Sequence, residues 1–146
     1  MNGRPDPVRR ACVVAAVVQR GGRVLITRRR EGAERGGLWE FPGGKVEAGE
    51  SEPAALVREI DEELACPVAV GRLLLRHEHR YPDLAVELAF YACTLPSGAV
   101  PSPVGVAEIA WAAAGTLASY PFCEADVAVL PALERALDPA RARRDD

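Results

Sequence analysis

Lysine, histidine and aromatic residues are scarce in this 146-residue chain. Lys45 is the single lysine among 18 basic residues, there are two histidines, and aromatic residues make up 5% of the sequence. The 21 acidic residues outnumber the basic ones, and the net charge is −3. Proteins that bind duplex nucleic acid usually carry a basic surplus. The composition therefore argues against stable nucleic-acid binding.

Long apolar runs and closely paired cysteines are also missing. The longest apolar stretch, residues 11–18, has eight residues, whereas a membrane-spanning helix needs about 20. The four cysteines are far apart and form no C-x-x-C pair, which disfavours a zinc motif or a disulfide framework. The N-terminal residues do not resemble a signal peptide. We therefore expect a cytoplasmic protein with no membrane partner.

What is present is typical of one globular domain. Hydrophobic residues make up 49% and charged residues 27%, and 146 residues suffice for a single core. Residues 1–7 are polar and contain prolines, and residues 139–146 are mostly charged. We predict a flexible N-terminal tail over 1–7, a single domain over 8–138 and a charged C-terminal tail over 139–146.

Apolar periodicity predicts strands and two helices. The expected strands are 8–19, 24–27, 39–41, 68–79, 85–94 and 108–112, and the expected helices are 51–65 and 125–137. Residues 28–37, 43–49 and 95–103 are predicted to be loops. Strands, helix, strands and helix in this order favour an α/β (α+β) fold, with a mixed β-sheet and helices on its faces.

The first predicted helix combines an apolar stripe with a charged face. Leu56, Ile60 and Leu64 repeat every four residues. On the other side, the three carboxylates of Glu59, Glu62 and Glu63 are three or four positions apart and stack on one face. Such a face is either a solvated acidic surface or a cradle for a hard cation such as Mg²⁺, which prefers oxygen ligands.

The residues before the helix favour the second interpretation. From Gly44 to Glu63 the sequence is G-x5-E-x7-R-E-I-x-E-E, which resembles the Nudix box. All its charged positions match. Two later positions depart from the box, because Ala65 replaces its final glycine and Cys66 replaces an aliphatic residue. We expect Ala65 to adopt a helical or bridging conformation and to shift the helix end.

The resemblance extends over about residues 10–137 and points to the MutT-like branch of the Nudix hydrolases. It implies a Nudix-type α/β/α sandwich. It also implies a Mg²⁺-dependent pyrophosphohydrolase, with Mn²⁺ as a substitute, that converts nucleoside triphosphates to monophosphate and pyrophosphate. The expected substrates are 8-oxo-dGTP, CTP or dCTP, so the enzyme would sanitise the nucleotide pool, a DNA repair task. We expect a monomer or a homodimer.

Roles for individual residues follow from the same resemblance. The carbonyl of Gly43 and the carboxylates of Glu59, Glu62 and Glu63 are the expected metal ligands. Glu59 and Glu62 are also expected to take part in catalysis. The expected supporting residues are Glu50, an outer acid, and Arg58, which orients the glutamates.

The resemblance also indicates substrate-binding residues. Arg29 and Lys45 are expected to bind phosphate, although Arg29 could be an ordinary surface charge. Asp126 is expected to read the base, since a carboxylate accepts hydrogen bonds from base donors, but it could also be a helix N-cap or first-turn acid. Phe41 and Tyr81, with Phe122, could form walls for the base or belong to the core.

One departure leaves other functions open. MutT-like enzymes often have a glutamate six residues before the tryptophan that matches Trp111, and here that position is Gly105. The nearest carboxylate is Glu108. The alternatives are therefore a Nudix-fold module that senses nucleotides without cleaving them, and a hydrolase of ADP-ribose-type nucleoside diphosphate derivatives.

Overall fold

The computed structural model describes residues 9–137. The predicted tails, and the exact domain limits at 8 and 138, lie outside the described residues. The strands are β1 Arg9–Arg20, β2 Arg23–Arg28, β3 Trp39–Glu40, β4 Gly43–Lys45, β5 Ala69–Tyr81, β6 Leu84–Thr94 and β7 Glu108–Ala113. The helices are α1 Glu52–Leu64 and α2 Glu124–Ala136, and a 3-10 helix, which the sequence pattern did not predict, spans Ala114–Ser119.

The strands form one mixed sheet. Its main order is β3-β2-β1-β6-β5, with β4 paired to β1 and β7 paired to β2. β1 and β6 run parallel, from Arg9 opposite Leu84 to Val18 opposite Cys93, while the other pairs are antiparallel. The predicted mixed sheet is therefore confirmed.

Both faces of the central strand β1 are buried. Its side chains alternate, so that Ala15 and Val17 join one apolar cluster while Val14, Ala16 and Val18 join the other. Helix α2 packs in the first cluster and helix α1 in the second. The result is a sheet between two helices, which explains the continuous apolar run in β1. Neither helix in the described part of the chain has the length and apolar character needed to cross a membrane.

Helix α1 begins and is packed as its sequence predicts. The Ser51 side chain accepts a hydrogen bond from the backbone N–H of Ala54, which makes Ser51 the N-cap. Leu56, Ile60 and Leu64 are almost completely buried. This buried stripe holds the opposite, acidic face of the helix toward the edge of β4.

The end of α1 differs from the expectation for Ala65. This alanine is neither helical nor bridging; it adopts the left-handed conformation, with φ 49° and ψ 46°. Its N–H still donates to the carbonyl of Asp61, and the helix ends at Leu64, one residue before the predicted end. The following loop closes the end, since Ser102 donates to the Leu64 carbonyl and Gly105 to that of Glu63.

The predicted loop over residues 43–49 is wrong for its first part. Gly43–Lys45 forms strand β4, antiparallel to residues 13–15 of β1. Glycine in a sequence usually indicates a loop, but here it allows the backbone of β4 to approach the backbone of β1 closely. A Cβ on Gly43 would lie 1.9 Å from the carbonyl oxygen of Val14, so only glycine fits this pairing.

The left-handed alanine leads to a stability prediction. Ala65 is exposed, so Ala65→Gly removes no buried contact. The left-handed conformation costs an L-residue about 1–2 kcal/mol, of which the greater freedom of unfolded glycine offsets about 0.5–1. We expect the free energy of unfolding to rise by about 1 kcal/mol in urea denaturation. Ala54→Gly, at an exposed right-handed position of α1, should instead lower it, and a similar decrease for Ala65→Gly would contradict the argument.

Candidate active site at the β4 edge

Two cavities lie side by side at the edge of β4. One, of about 490 Å³, lies over the acidic face of α1 and is called here the carboxylate cavity. The other, of about 250 Å³, lies between the sheet and the start of α2 and is called here the inner cavity. Both are lined by Arg29, Glu40 and the backbone of Gly43–Lys45. A single ligand can therefore extend from one cavity into the other along β4.

Glu59 and Glu63 form the floor of the carboxylate cavity. The Gly44 backbone lies directly on the Glu59 carboxylate, so a Cβ at Gly44 would be 2.3 Å from its Cδ atom. Burial raises the pKa of Glu59, although Arg58 opposes the shift. Burial, with the charges of Glu40 and Glu59, raises the pKa of Glu63 to about 8, while a backbone hydrogen bond from Gly43 favours its ionised form.

Arg58 connects the helix to the loop before it. Its Nε and Nη2 donate to the two carboxylate oxygens of Glu50, at 2.8 and 2.9 Å. Nη1 donates to Glu59 at 2.8 Å, and Nη2 also donates to the Lys45 carbonyl at 3.0 Å. The hydrogen bonds from Arg58 and from the Glu47 backbone lower the pKa of Glu50 to about 2. Arg58 and Glu50 thus form a brace that orients Glu59 against β4.

The donor set of the carboxylate cavity suits a hard divalent cation. Two carboxylates share a partly buried space with the peptide groups of Gly43 and Gly44, and burial and like charge disfavour their joint ionisation. A cation with oxygen ligands would relieve that repulsion. Of the four residues predicted as ligands from the sequence, Gly43, Glu59 and Glu63 line the cavity, and their oxygen atoms suit such an ion, whereas Glu62 does not line it.

Glu62 is placed differently from its neighbours. Its side chain is 58% exposed, against 17% for Glu59, and it is not among the residues that line the cavity. Its carboxylate is 3.4 Å from Nη1 of Arg58. Glu62 therefore lies at the rim, within reach of solvent.

Gly105, the position at which MutT-like enzymes often have a glutamate, also faces the carboxylate cavity. Gly105 lines it, and a Cβ there would be 3.1 Å from the Cα of Glu63. Glu108 does not take over that place. Its carboxylate accepts from Nε of Arg28 at 3.0 Å, outside both cavities.

Asp126 lies in the first turn of α2 and lines the inner cavity. It is 5% exposed, and burial followed by the Glu40 charge raises its pKa well above the usual range. Cys123, not Asp126, is the N-cap residue. The first-turn placement considered from the sequence is therefore correct, yet the carboxylate points into a cavity rather than toward solvent.

The three candidate aromatic residues divide between cavity and core. Phe41 and Tyr81 line the inner cavity, whereas Phe122 does not. Phe122 stacks on Phe41 with ring centroids 5.5 Å apart, inside the apolar cluster. Phe122 therefore supports the wall from behind.

Arg29 and Lys45, the expected phosphate-binding residues, both line the two cavities. Nη1 of Arg29 donates to Glu40 at 3.0 Å, and its Nε donates to the Glu34 carbonyl at 2.7 Å. Within residues 9–137, no acceptor or acidic side chain pairs with the Lys45 ammonium group, which is exposed. Lys45 is thus the freer of the two cations.

The sequence reasoning missed three residues of the inner cavity. Glu40 pairs with Arg29, Cys123 lies beside Asp126, and the Arg35 guanidinium lies 4.9 Å from the ring centroid of Tyr81. Glu40 and Cys123 belong to segments quoted for the resemblance, but no spacing rule connects them to a cavity. No sequence signal pointed to Arg35, a loop residue whose backbone takes φ 57° in the structure.

Comparison with known proteins identifies the family of the chain. The model of the NUDIX domain matches residues 13–132. The chain belongs to the Nudix family. The relatives described next belong to the MutT-like branch of this family, and the chain is a MutT-like Nudix hydrolase.

Relatives of this Nudix hydrolase include proteins named for two activities. It is 35% identical over 120 residues to the CTP pyrophosphohydrolase of Escherichia coli, covering 82% of this chain and 88% of that protein. It is 41% identical over 71 residues to the 8-oxo-dGTP diphosphatase of Proteus vulgaris, covering 49% of this chain and 63% of that protein. The solution structure of the E. coli ORF135 protein has a TM-score of 0.76 and 33% identity, covering 95% of this chain and 98% of that one.

The Arg58 brace predicts an effect on metal affinity. Arg58→Lys keeps the charge but loses the two-atom contact with Glu50, so Glu59 loses its orientation. Replacing a residue that orients a metal ligand usually lowers metal affinity about 10- to 100-fold. We expect a rise of that size in the Kd for Mn²⁺, measured by electron paramagnetic resonance of the free ion.

A matched control is the ion pair between Arg76 on β5 and Glu52 at the start of α1. Arg76 binds Glu52 through both terminal nitrogens, at 2.8 and 2.9 Å, away from both cavities. Arg76→Lys should leave the Kd for Mn²⁺ unchanged. Equal Kd values for Arg58→Lys and the unchanged protein would show that the contact between Arg58 and Glu50 does not orient a metal ligand.

Proposed function

We propose that this Nudix hydrolase is a Mg²⁺-dependent pyrophosphohydrolase of nucleoside triphosphates. Its substrates would be CTP, dCTP or 8-oxo-dGTP, and its products nucleoside monophosphate and pyrophosphate. The observation that carries the proposal is the pair of adjoining cavities along β4, one floored by Glu59 and Glu63 and the other ending at Asp126. Phosphates and base can occupy the two cavities at once.

In this proposal the helix carboxylates and the β4 backbone hold the cation. Glu59, Glu63 and the Gly43 carbonyl would be the ligands, and Arg58 would keep Glu59 in place. When bound, Mg²⁺ neutralises charge on the phosphate oxygens and makes a nearby water more acidic. Glu62, which is exposed, would accept a proton from that water.

The cationic side chains at the junction of the cavities would position the triphosphate. Lys45 is exposed and unpaired within the described residues, so its ammonium group can meet phosphate oxygens without breaking another contact. Arg29 is fixed by Glu40 and the Glu34 carbonyl. It would offer its remaining N–H groups to phosphate in a set direction, and such positioning supplies much of the catalysis in phosphoryl transfer.

Asp126 would determine which base fits the inner cavity. Burial raises the pKa of Asp126, but base N–H groups that donate to it would favour the ionised carboxylate, which accepts hydrogen bonds and donates none. That carboxylate therefore suits the amino group of cytosine or the N–H groups on the guanine edge. The names of the relatives include both a CTP pyrophosphohydrolase and 8-oxo-dGTP diphosphatases, which supports an overlapping substrate range.

Product analysis tests the reaction directly. The purified protein is incubated with Mg²⁺ and 8-oxo-dGTP, dGTP, CTP, dCTP or ADP-ribose, and products are separated by chromatography. We expect monophosphate and pyrophosphate from CTP, dCTP or 8-oxo-dGTP, and a large loss of turnover in Glu62→Gln. Cleavage of ADP-ribose alone would overturn the proposal, as would binding of nucleotides without turnover in Mg²⁺ or Mn²⁺.

The role of Asp126 has its own test. Asp126→Asn replaces the carboxylate that we propose to accept hydrogen bonds from the base with an amide. A hydrogen bond to a charged group contributes about 1.5–3 kcal/mol. We expect kcat/KM for the preferred triphosphate to fall about 10- to 100-fold, mainly through KM. Glu124→Gln, in the same helical turn but exposed, is the control and should have no effect. An unchanged kcat/KM in Asp126→Asn would assign base recognition to other residues.

A further inference from the structure

We propose that the inner cavity also contains a site for a thiophilic divalent cation, Zn²⁺, formed by Glu40, Cys123 and Asp126. One carboxylate oxygen of each acid and the cysteine Sγ all lie within 4.8 Å of one another. All three residues line the inner cavity, which opens to the carboxylate cavity along β4. This cluster shares no residue with the predicted Mg²⁺ ligands on α1, and Glu40 lines both cavities.

The ligand types suit zinc. Zn²⁺ binds cysteine sulfur at about 2.3 Å and carboxylate oxygen at about 2.0–2.2 Å, often with three protein ligands and one open position. Ligand atoms then lie roughly 3.3–3.7 Å apart, so a contraction of about 1 Å would close the cluster. The thiol favours zinc over magnesium, whereas the α1 carboxylates offer only oxygen and suit magnesium.

An independent observation also indicates a missing partner. Asp126 is 5% exposed, and the hydrogen bonds found among residues 9–137 include none to its carboxylate. Cys123 is equally buried, and its Sγ has no hydrogen bond within the same residues. A buried polar group without a partner costs free energy. Both side chains line an open cavity, so a ligand that enters it can supply that partner.

Glu40 is held in position for such a ligand. Nη1 of Arg29 donates to both of its carboxylate oxygens, at 3.0 and 3.3 Å. A carboxylate has about four acceptor positions, so this contact leaves others free. Carboxylate ligands of metals are commonly oriented by such outer hydrogen bonds. Arg29 would therefore support the site and reduce its net negative charge.

The consequence for turnover rests on the proposed function. Zn²⁺ on Asp126 would occupy the acceptor that we propose to read the base. Zinc and nucleotide would then exclude each other, and zinc would inhibit hydrolysis even when Mg²⁺ is in excess.

Cobalt substitution tests the metal site without any enzyme assay. Co²⁺ bound to thiolate gives a charge-transfer absorption band in the near ultraviolet, and the α1 carboxylates contain no thiol to produce it. With Mg²⁺ in excess, we expect the band to saturate at one equivalent of Co²⁺ and to disappear when Zn²⁺ is added. Absence of the band would overturn the proposal.

Variants assign the band to the cluster. Cys123→Ser should abolish it, whereas Cys12→Ser, at an exposed cysteine on β1, should leave it unchanged. Asp126→Asn keeps the thiol and should raise the Kd for Co²⁺ about 10-fold or more, which provides a second variant should Cys123→Ser fail to fold. A band that survives in folded Cys123→Ser, or a Kd unchanged by Asp126→Asn, would refute the site.

Competition separates this inference from the proposed function. CTP, dCTP or 8-oxo-dGTP should displace the cobalt band, and Zn²⁺ should inhibit hydrolysis in the unchanged protein but not in Cys123→Ser. A band that nucleotide does not displace would support the metal site and contradict base reading by Asp126. Hydrolysis without any thiolate band would support the proposed function and refute the zinc site.

Discussion

The close approach of the Gly43–Gly44 backbone to its neighbours is the constraint on which the site depends. On one side, a Cβ at Gly43 would lie 1.9 Å from the Val14 carbonyl oxygen, and on the other, a Cβ at Gly44 would lie 2.3 Å from Glu59. Strand β4 can therefore pass between β1 and helix α1 only without side chains at positions 43 and 44. This passage brings peptide groups against the helix carboxylates and connects the two cavities along one short strand.

The acidic face of α1 is maintained against unfavourable electrostatics. Burial raises the pKa of Glu59 and Glu63, and neighbouring acids increase the effect. The other face of the helix compensates, since each fully buried leucine or isoleucine in the stripe stabilises the fold by about 1.5–3 kcal/mol. Packing on one side of α1 thus allows a strained, charged arrangement on the other, as is common at functional sites.

Features that depend on neighbouring residues were predicted well from the sequence. The extent of α1, its Ser51 cap and its buried stripe follow from helical periodicity, and so does the shared face of the three carboxylates. What the spacing could not indicate is which carboxylates face the cavity. Glu59 and Glu62 are one turn apart, yet their exposures are 17% and 58%, because the docking of the helix against β4 covers one and leaves the other at the rim.

The sequence by itself thus determined both α-helices, six of the seven strands, the helix carboxylates and, through the box, the family. Tertiary structure decided that residues 43–45 form a strand, that Glu40 meets Arg29 and that Cys123 lies beside Asp126 and Glu40. The physical reason is the range of the interactions. The periodicity of helices and strands reflects interactions between residues a few positions apart. These contacts instead join segments up to 86 positions apart (Glu40 to Asp126), and they require the strand register and the docking of α2 to be set first.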